Sequence, residues 1–348
     1  MRILYGLAGE GFGHSSRARE IIPYLQKKGH KVKVVTYGQS VNVLKKEGFD
    51  VFKIYGMHLI FDKNKLNYKE TLKEGLTNFL SNAKKAKKIY SLMKENFDLC
   101  ITDMEPLVSM LSKWYSLPLL SIDNQHRLVN LKLKIPEKYQ QDYLLAKHIT
   151  NLFASRADYY IITNFGKAIV KKEYKKNTFL VPPIVRKSIR ELKRQKNNFI
   201  LVYLTKKNYE ITNILKQIDE HFVVYGFDIE KKEKNLVFHK TGDNFLNDLS
   251  KCKAIIATSG FTLISESLYL KKPYFAIPLK GQFVQVFNAL ILKDSGFGDY
   301  SEDVSKEELV LFLKNTKKYE KSLKRYKFDH NLLFKILDIV LEKIQNGK

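Results

Sequence analysis

The sequence predicts an α/β protein built from two doubly wound domains in tandem, and three observations carry that prediction. Short runs rich in β-branched and aromatic residues recur along the chain, separated by helical stretches, which is the pattern of βαβ units around a parallel sheet. Those runs are apolar at almost every position, as strands covered by helices on both faces are. The series also halts at a charged, proline-containing stretch and then starts again, and 348 residues are more than one ordinary core organises.

The elements follow in order. RILYGLA (2–8) is a strand, and a helix runs from about Ser15 to Lys28 after a glycine loop. KVKVVTY (31–37) and DVFKIYG (50–56) are the next strands. A lysine-rich helical region covers 68–95 and holds the densest cationic knot, Lys84, Lys85, Lys87 and Lys88. DLCITDM (98–104) and PLLSIDN (118–124) follow with a helix between them, and a helix near 137–155 leads to DYYIITN (158–164). VPPIVRKSIRELKRQKNN (181–198) has two prolines, many charges and no strand periodicity, and reads as a linker. The second series comprises FILVYLT (199–205), HFVVYG (221–226), NLVFHK (235–240), AIIATSG (254–260) and PYFAIP (273–278). Helices fit at 208–219, 243–252, 261–272 and 282–295, and the chain beyond about 300 reads as helical. The expected domains are therefore 1–180 and 199–317, with 318–348 as terminal helices. In open sheets of this kind ligands bind outside the carboxyl ends of the strands. Two such domains would face each other across a cleft.

Composition narrows the partners. The formal net charge is +25, which reflects either a lysine-rich composition or an anionic partner. No apolar run approaches the ~18 residues of a membrane-spanning helix, and no secretory-signal pattern opens the chain, so a cytoplasmic protein is expected. Cys100 and Cys252 lie in different halves and read as reduced core thiols. The basic residues are spread rather than interleaved with aromatics, and no nucleic-acid partner is expected.

The first chemical feature is GLAGEGFGHSSRARE, Gly6 to Glu20. A glycine loop between strand and helix suggests a phosphate, but two dinucleotide marks are missing. His14 stands where the third glycine would fall, and Thr36, Tyr37 and Gly38 end the second strand where an acid would grip the ribose. No Gly-Lys-Ser/Thr closes a P-loop. What remains is a loop, Gly11 and Gly13, whose backbone N–H groups and helix N-terminus attract an anion. The imidazole of His14 stands at its edge.

The second feature is TSGFTLISESLYLKKPYFAIPLKGQFVQVFNA, Thr258 to Ala289. A strand ends at Ser259–Gly260 and a helix begins, with the hydroxyls of Thr258, Ser259 and Thr262 at its N-terminus. About half a positive charge resides there, which suits a diphosphate. Glu266 lies six residues after Gly260, where a carboxylate could hold the vicinal hydroxyls of a ribose through charge-assisted bonds worth roughly 1.5–3 kcal/mol each. Gln282 and Gln285 follow the next strand. Amides both donate and accept, as hexose hydroxyls require.

The spaced set SG-x-T-x₃-E-x₅-KP-x₄-P-x₃-Q-x₂-Q-x₂-NA resembles the donor-binding signature of nucleotide-sugar glycosyltransferases of the GT-B fold, two Rossmann-like domains facing across a cleft. Its spacing is close to family 28, the MurG-like N-acetylglucosaminyltransferases, and is similar to that of the UDP-sugar transferases of secondary metabolism. The opening GEGFGHSSRA resembles the N-terminal loop of the same family, in particular a group of archaeal and bacterial family-28-like proteins. The resemblance spans nearly the whole chain in order.

This resemblance implies transfer of a hexose or N-acetylhexosamine from a nucleoside-diphosphate sugar, UDP first, to a hydroxyl acceptor with inversion. It implies that Gly260, Phe261 and Thr262 receive the diphosphate beside Thr258 and Ser259, that Glu266 binds ribose, and that Gln282 and Gln285 touch the sugar. The loop of Gly11, Gly13 and His14 would face the donor phosphates and the acceptor, and the last helix would cross back onto the first domain. The chain departs from the pattern in three places. LTKKN replaces a glycine-serine loop after the first strand of the second domain, so Lys206 and Lys207 become phosphate candidates; Thr262 comes one position early; Gly281 replaces an acid.

His14 is the first candidate for the base, since imidazole titrates near neutrality. Asp103 and Glu105 past the fourth strand, and Asp123 and His126 past the fifth, are the others. Each acid could instead cap the helix that follows it. No D-x-D triplet is present, and neither a metal nor a cofactor is expected. The basic surface suggests a lipid-linked acceptor at an anionic membrane face. The rival readings are a nucleotide-sugar 2-epimerase of the same fold and a basic protein that binds anionic surfaces or nucleic acid.

Overall fold

The computed structural model of the chain describes residues 1–347 apart from 57–59, 63–64, 67, 84–85, 155 and 243. Lys84 and Lys85 of the cationic knot thus lie outside the described residues. The first half opens with β1 (Arg2–Leu7), α1 (Phe12–Lys27), β2 (Lys31–Thr36), α2 (Gly38–Lys46) and β3 (Val51–Lys53). A small hairpin, β4 (Phe61–Asp62) and β5 (Lys65–Leu66), leads to α3 (Tyr68–Ala83) and α4 (Ala86–Met93). Then come β6 (Leu99–Asp103), α5 (Pro106–Trp114), β7 (Leu119–Asp123), α6 (Arg127–Asn130), α7 (Gln140–Ala154), β8 (Tyr159–Thr163) and β9 (Thr178–Val181). Seven of these strands form one parallel sheet in the order β3-β2-β1-β6-β7-β8-β9.

The second half repeats the plan after a short helix, α8 (Lys187–Arg190). It contains β10 (Ile200–Tyr203), α9 (Tyr209–Leu215), β11 (Phe222–Tyr225), β12 (Lys231–Glu233), β13 (Leu236–Phe238) and α10 (Asn244–Lys251). It continues through β14 (Ala254–Thr258), α11 (Phe261–Tyr269), β15 (Tyr274–Ile277), α12 (Phe283–Asp294) and β16 (Gly298–Tyr300) to α13 (Lys306–Lys314), α14 (Thr316–Arg325) and α15 (Asn331–Gln345). Its sheet runs β12-β13-β11-β10-β14-β15-β16, parallel except for β12.

The central strands are what the apolar runs predict: every residue of β6, β7 and β14 is buried. Burial of such aliphatic side chains on both faces of a sheet is the main driving force for the layered plan. Besides the small β4–β5 hairpin, three strands of the two large sheets escape the sequence pattern. β9, β12 and β16 are short edge or near-edge strands, and β12 reads Lys-Lys-Glu. Their pairing partners supply the order that their own residues do not encode. The terminal helix α15 packs Leu333, Leu337, Val340 and Leu341 into the core that holds Ile3, Leu99 and Ile161 of the first sheet. Chain order reverses between β1 and β6 in one sheet and between β10 and β14 in the other, and these switch points are where an α/β sheet offers a ligand crevice.

Candidate active site

The first switch point holds a histidine–carboxylate pair. Gly11 caps α1 at φ +75°, a left-handed conformation that favours glycine, and so turns the chain sharply from the loop into the helix. His14 follows in the first turn of α1. Its Nδ1 lies 2.8 Å from Asp103 Oδ1, at the end of β6. Arg17, one helical turn on, donates from Nε and Nη2 to the two oxygens of Asp103 at 2.9 and 2.7 Å. Its Nη1 reaches Asn124 at 3.3 Å. Arg17 Nη2 also approaches His14 Nδ1 to 2.9 Å. A carboxylate can only accept, so we assign the proton to Nδ1, directed at Asp103, and read the Arg17 approach as two donors sharing one acceptor. The lone pair of a neutral His14 then falls on Nε2. Burial opposes ionisation of Asp103, but the Arg17 guanidinium and His14 outweigh it and hold the carboxyl below its ordinary range.

The other acids take local structural roles. The chain turns at Met104, φ +58°, so that Asp103 faces α1 while Glu105 faces α5. Glu105 accepts from Leu107 N at 3.0 Å and Val108 N at 2.7 Å, capping α5. Burial pushes its carboxyl up to about 7, and the two backbone N–H bonds offset only part of that. Asp123 accepts from the backbone N–H of His126 at 2.8 Å and meets His126 Nδ1 at 2.6 Å and Ser121 Oγ at 2.6 Å. Burial works against its charge, but His126 prevails and lowers its pKa. Glu105, Asp123 and His126 are all buried; Glu105 is the helix cap that the sequence allowed as the alternative, while Asp123 closes the turn before α6, whose N-cap His126 makes no side-chain capping bond.

The second switch point faces the first. A Cβ placed on Gly13 would stand 3.0 Å from Thr262 Oγ1, so the start of α1 nearly touches the start of α11. Gly260 caps α11, and a Cβ there would meet nothing within 4 Å, which leaves room in front of the helix N-terminus. Thr262 borders that room. The Thr258 hydroxyl pairs with Thr205 at 2.7 Å, and Ser259 is buried with no partner for its Oγ. Phe261 packs its ring 5.4 Å from that of Phe165. Lys206, next to Thr205 at the end of β10, has its pKa lowered by burial. Gln285 donates to Gln282 at 2.6 Å and accepts from Leu279 N at 3.0 Å.

Glu266 has a partner that sequence reading missed. Arg186, in the linker, grips both its oxygens, Nε to Oε1 at 2.6 Å and Nη2 to Oε2 at 2.8 Å. Burial pushes the Glu266 carboxyl up and Arg186 only partly offsets it. Arg17 and Arg127 were missed as well. Only Arg17 carried a signal, its place one turn beyond His14 on a predicted helix.

A doubly wound pair of sheets with opposed switch points, a histidine–carboxylate pair on one side and an open helix N-terminus on the other, defines a protein of two Rossmann-like halves with a ligand crevice between them. The chain belongs to Glycosyl transferase family 1, whose model matches residues 1–317. It is therefore a glycosyltransferase of the GT-B fold. An uncharacterized glycosyltransferase of Methanosarcina acetivorans is 21% identical over 336 residues, 89% of this chain and 86% of that relative. MurG of Acinetobacter baumannii superposes with a TM-score of 0.60 at 16% identity, covering 98% of this chain and 100% of its own. Phytolacca americana UGT2, solved with UDP-2-fluoro-glucose and pterostilbene, gives a TM-score of 0.67 at 12% identity, covering 99% and 100%.

Proposed function

We propose that the protein moves a hexose or N-acetylhexosamine from a nucleoside-diphosphate sugar, UDP first, to a hydroxyl acceptor with inversion, and that His14 is its general base. The observation that carries the reading is the 2.8 Å contact of His14 Nδ1 with Asp103, in the first turn of α1, which abuts the N-terminus of α11. The acceptor oxygen attacks the anomeric carbon as the bond from that carbon to the β-phosphate oxygen breaks. The acceptor proton passes to His14 Nε2, and the nucleoside diphosphate leaves with its new charge facing the α11 N-terminus. Asp103 orients the imidazole and balances the imidazolium that forms, while Arg17 fixes Asp103. Positioned base catalysis of this kind contributes about 10²–10⁴ in rate. Glu266 is the ribose ligand in this reading, and Gln282 and Gln285 the sugar contacts. The motif spacing and the fold shared with MurG support a family-28-like donor site.

The acceptor is lipid-linked in this reading and reached at an anionic membrane face. Its support is the net charge of +25 and the exposed Lys87 and Lys88 on α4; vesicle binding that rises with anionic lipid and fades with salt is the expected signature. Among the described residues no helix is long and apolar enough to cross a membrane.

Calorimetry with UDP, GDP, TDP and their sugars, on wild type and Glu266→Ala, tests the donor site. One nucleotide should bind and be weakened about tenfold, ~1.4 kcal/mol, by the substitution. Absence of binding by every nucleotide would overturn the proposal.

A further inference from the structure

We infer that Arg127 is a diphosphate-binding residue, delivered from the first half of the chain to the start of α11; the inference rests on the donor site proposed above. Arg127 opens α6, just beyond β7, and its side chain is fully buried. Two of its nitrogens are used. Nε donates to the Asn124 carbonyl at 2.6 Å, and Nη2 donates to Asn288 Oδ1, on α12 of the second half, at 2.6 Å. Nη1 is buried with no partner.

Among the described residues no carboxylate pairs with the guanidinium, and both of its bonds go to neutral oxygens. Asp123, four residues back at the end of β7, is committed to Ser121 and His126, and Asp103 to Arg17 and His14. A buried cation without an anion is among the costliest features a fold can carry, and arginine does not escape by deprotonating as lysine can. Burial lowers its pKa to about 9, against which the Asp123 charge works only in part, so the group stays charged at neutral pH. The aromatic faces around it are partial compensation: its Cζ lies 4.6, 5.1 and 5.9 Å from the ring centres of Phe261, Phe287 and Phe165.

Its position names the missing anion. The same Asn288 side chain that accepts from Arg127 donates from Nδ2 to the Ser259 carbonyl at 2.9 Å, which ties the guanidinium to the turn that starts α11. The Phe261 ring that it faces belongs to the first residue of that helix. Unmet donors of three kinds therefore belong to this one cluster: the helix N-terminal N–H groups, the Ser259 hydroxyl, and Arg127 Nη1 on a guanidinium linked to the turn through Asn288. The space beside Gly260 is open. Several donors and a full positive charge call for a compact, multiply charged oxyanion, and a diphosphate supplies it. Because Arg127 comes from one half of the chain and α11 from the other, the same anion would also hold the two halves together.

Binding of UDP, uridine and inorganic pyrophosphate to wild type, Arg127→Met, Arg127→Gln and Arg127→Lys tests this. Arg127→Met removes a buried charge at similar volume, and the two polar variants guard against a packing defect. The expected result is that Arg127→Met and Arg127→Gln weaken UDP and pyrophosphate tenfold or more but uridine less than twofold, with Arg127→Lys retaining most of the pyrophosphate affinity. Equal weakening of uridine and UDP, or no weakening of either, would overturn the inference and leave Arg127 a packing residue. Pyrophosphate binding that depends on Arg127, in a wild type that binds no nucleotide, would keep the anion site while removing the proposed donor. A wild type that binds neither would remove both.

Discussion

Removing Arg186 should make the protein less stable and yet bind a ribonucleoside more tightly. Arg186 occupies both oxygens of Glu266, the carboxylate proposed to hold the ribose. The Glu266 side chain is 2% exposed and that of Arg186 27%, so a diol that reaches the carboxylate takes the place of at least one guanidinium bond. A charge-assisted bond has a net worth of about 1.5–3 kcal/mol. The incoming hydroxyl recovers part of that, and the displaced guanidinium, partly exposed already, recovers part by hydration. A residual penalty of ~1 kcal/mol remains, which is about fivefold in affinity. Arg186→Met lifts that penalty and at the same time strands a buried carboxylate, for which a loss of ~3 kcal/mol is the expected scale. The displaced side chain would not go far, because Glu20 of α1 anchors α8 through Lys187 N and Arg190 Nη1, each at 2.8 Å.

Calorimetric titration with uridine and with UDP reads the first effect, and urea denaturation the second. In Arg186→Met both ligands should tighten about fivefold or more while the urea midpoint falls. Glu266→Ala and the double variant should bind alike, since the arginine acts only through the carboxylate. Weaker nucleoside binding in Arg186→Met would refute the reasoning: it would mean that Arg186 contacts the donor, or that Glu266 serves only to position the linker.

Three further outcomes are expected. His14→Asn should lower turnover by about 10²–10⁴ with donor affinity within twofold; weakened donor binding with surviving turnover would remove His14 as the base. Glu105 has a folded pKa raised from 4.5 to about 7, so the stability it contributes is present below pH ~4.5 and is lost as pH rises through ~7, about 3 kcal/mol in all; urea midpoints at pH 5 and 8 should therefore converge in Glu105→Gln. Gly13→Ala places a methyl 3.0 Å from Thr262 Oγ1, tighter than most Cβ contacts, so the facing helix starts should move apart by a few tenths of an ångström; kcat/KM should fall and Thr262→Ala should partly restore it, while an unchanged kcat/KM would show that the Thr262 side chain gives way.

What the sequence displayed and what it concealed divide along one physical line. Apolar runs announce buried strands, and the strands at the middle of each sheet were legible for that reason. β12, with Lys231, Lys232 and Glu233, is a strand only because β13 lies beside it. The candidate site follows the same division. His14 and Asp103 are 89 positions apart; His14 drew notice as an imidazole beside the glycine loop, Asp103 only as an acid after a strand. What joins them is the pairing of β1 with β6, which no local pattern states. Asp103 and Glu105 look interchangeable in sequence, two acids around one methionine. The left-handed Met104 between them sends one to the cleft and the other to a helix cap. Arg186 is hidden by its surroundings, since a linker crowded with basic residues offers no reason to choose one arginine. Arg127 and Asn288 are 161 positions apart, and their meeting depends on how the two halves close on each other. A motif written in one half of such a chain therefore reports a binding chemistry, while the partners that restrain or complete it come from the other half and from the linker, where charge without context carries no signal.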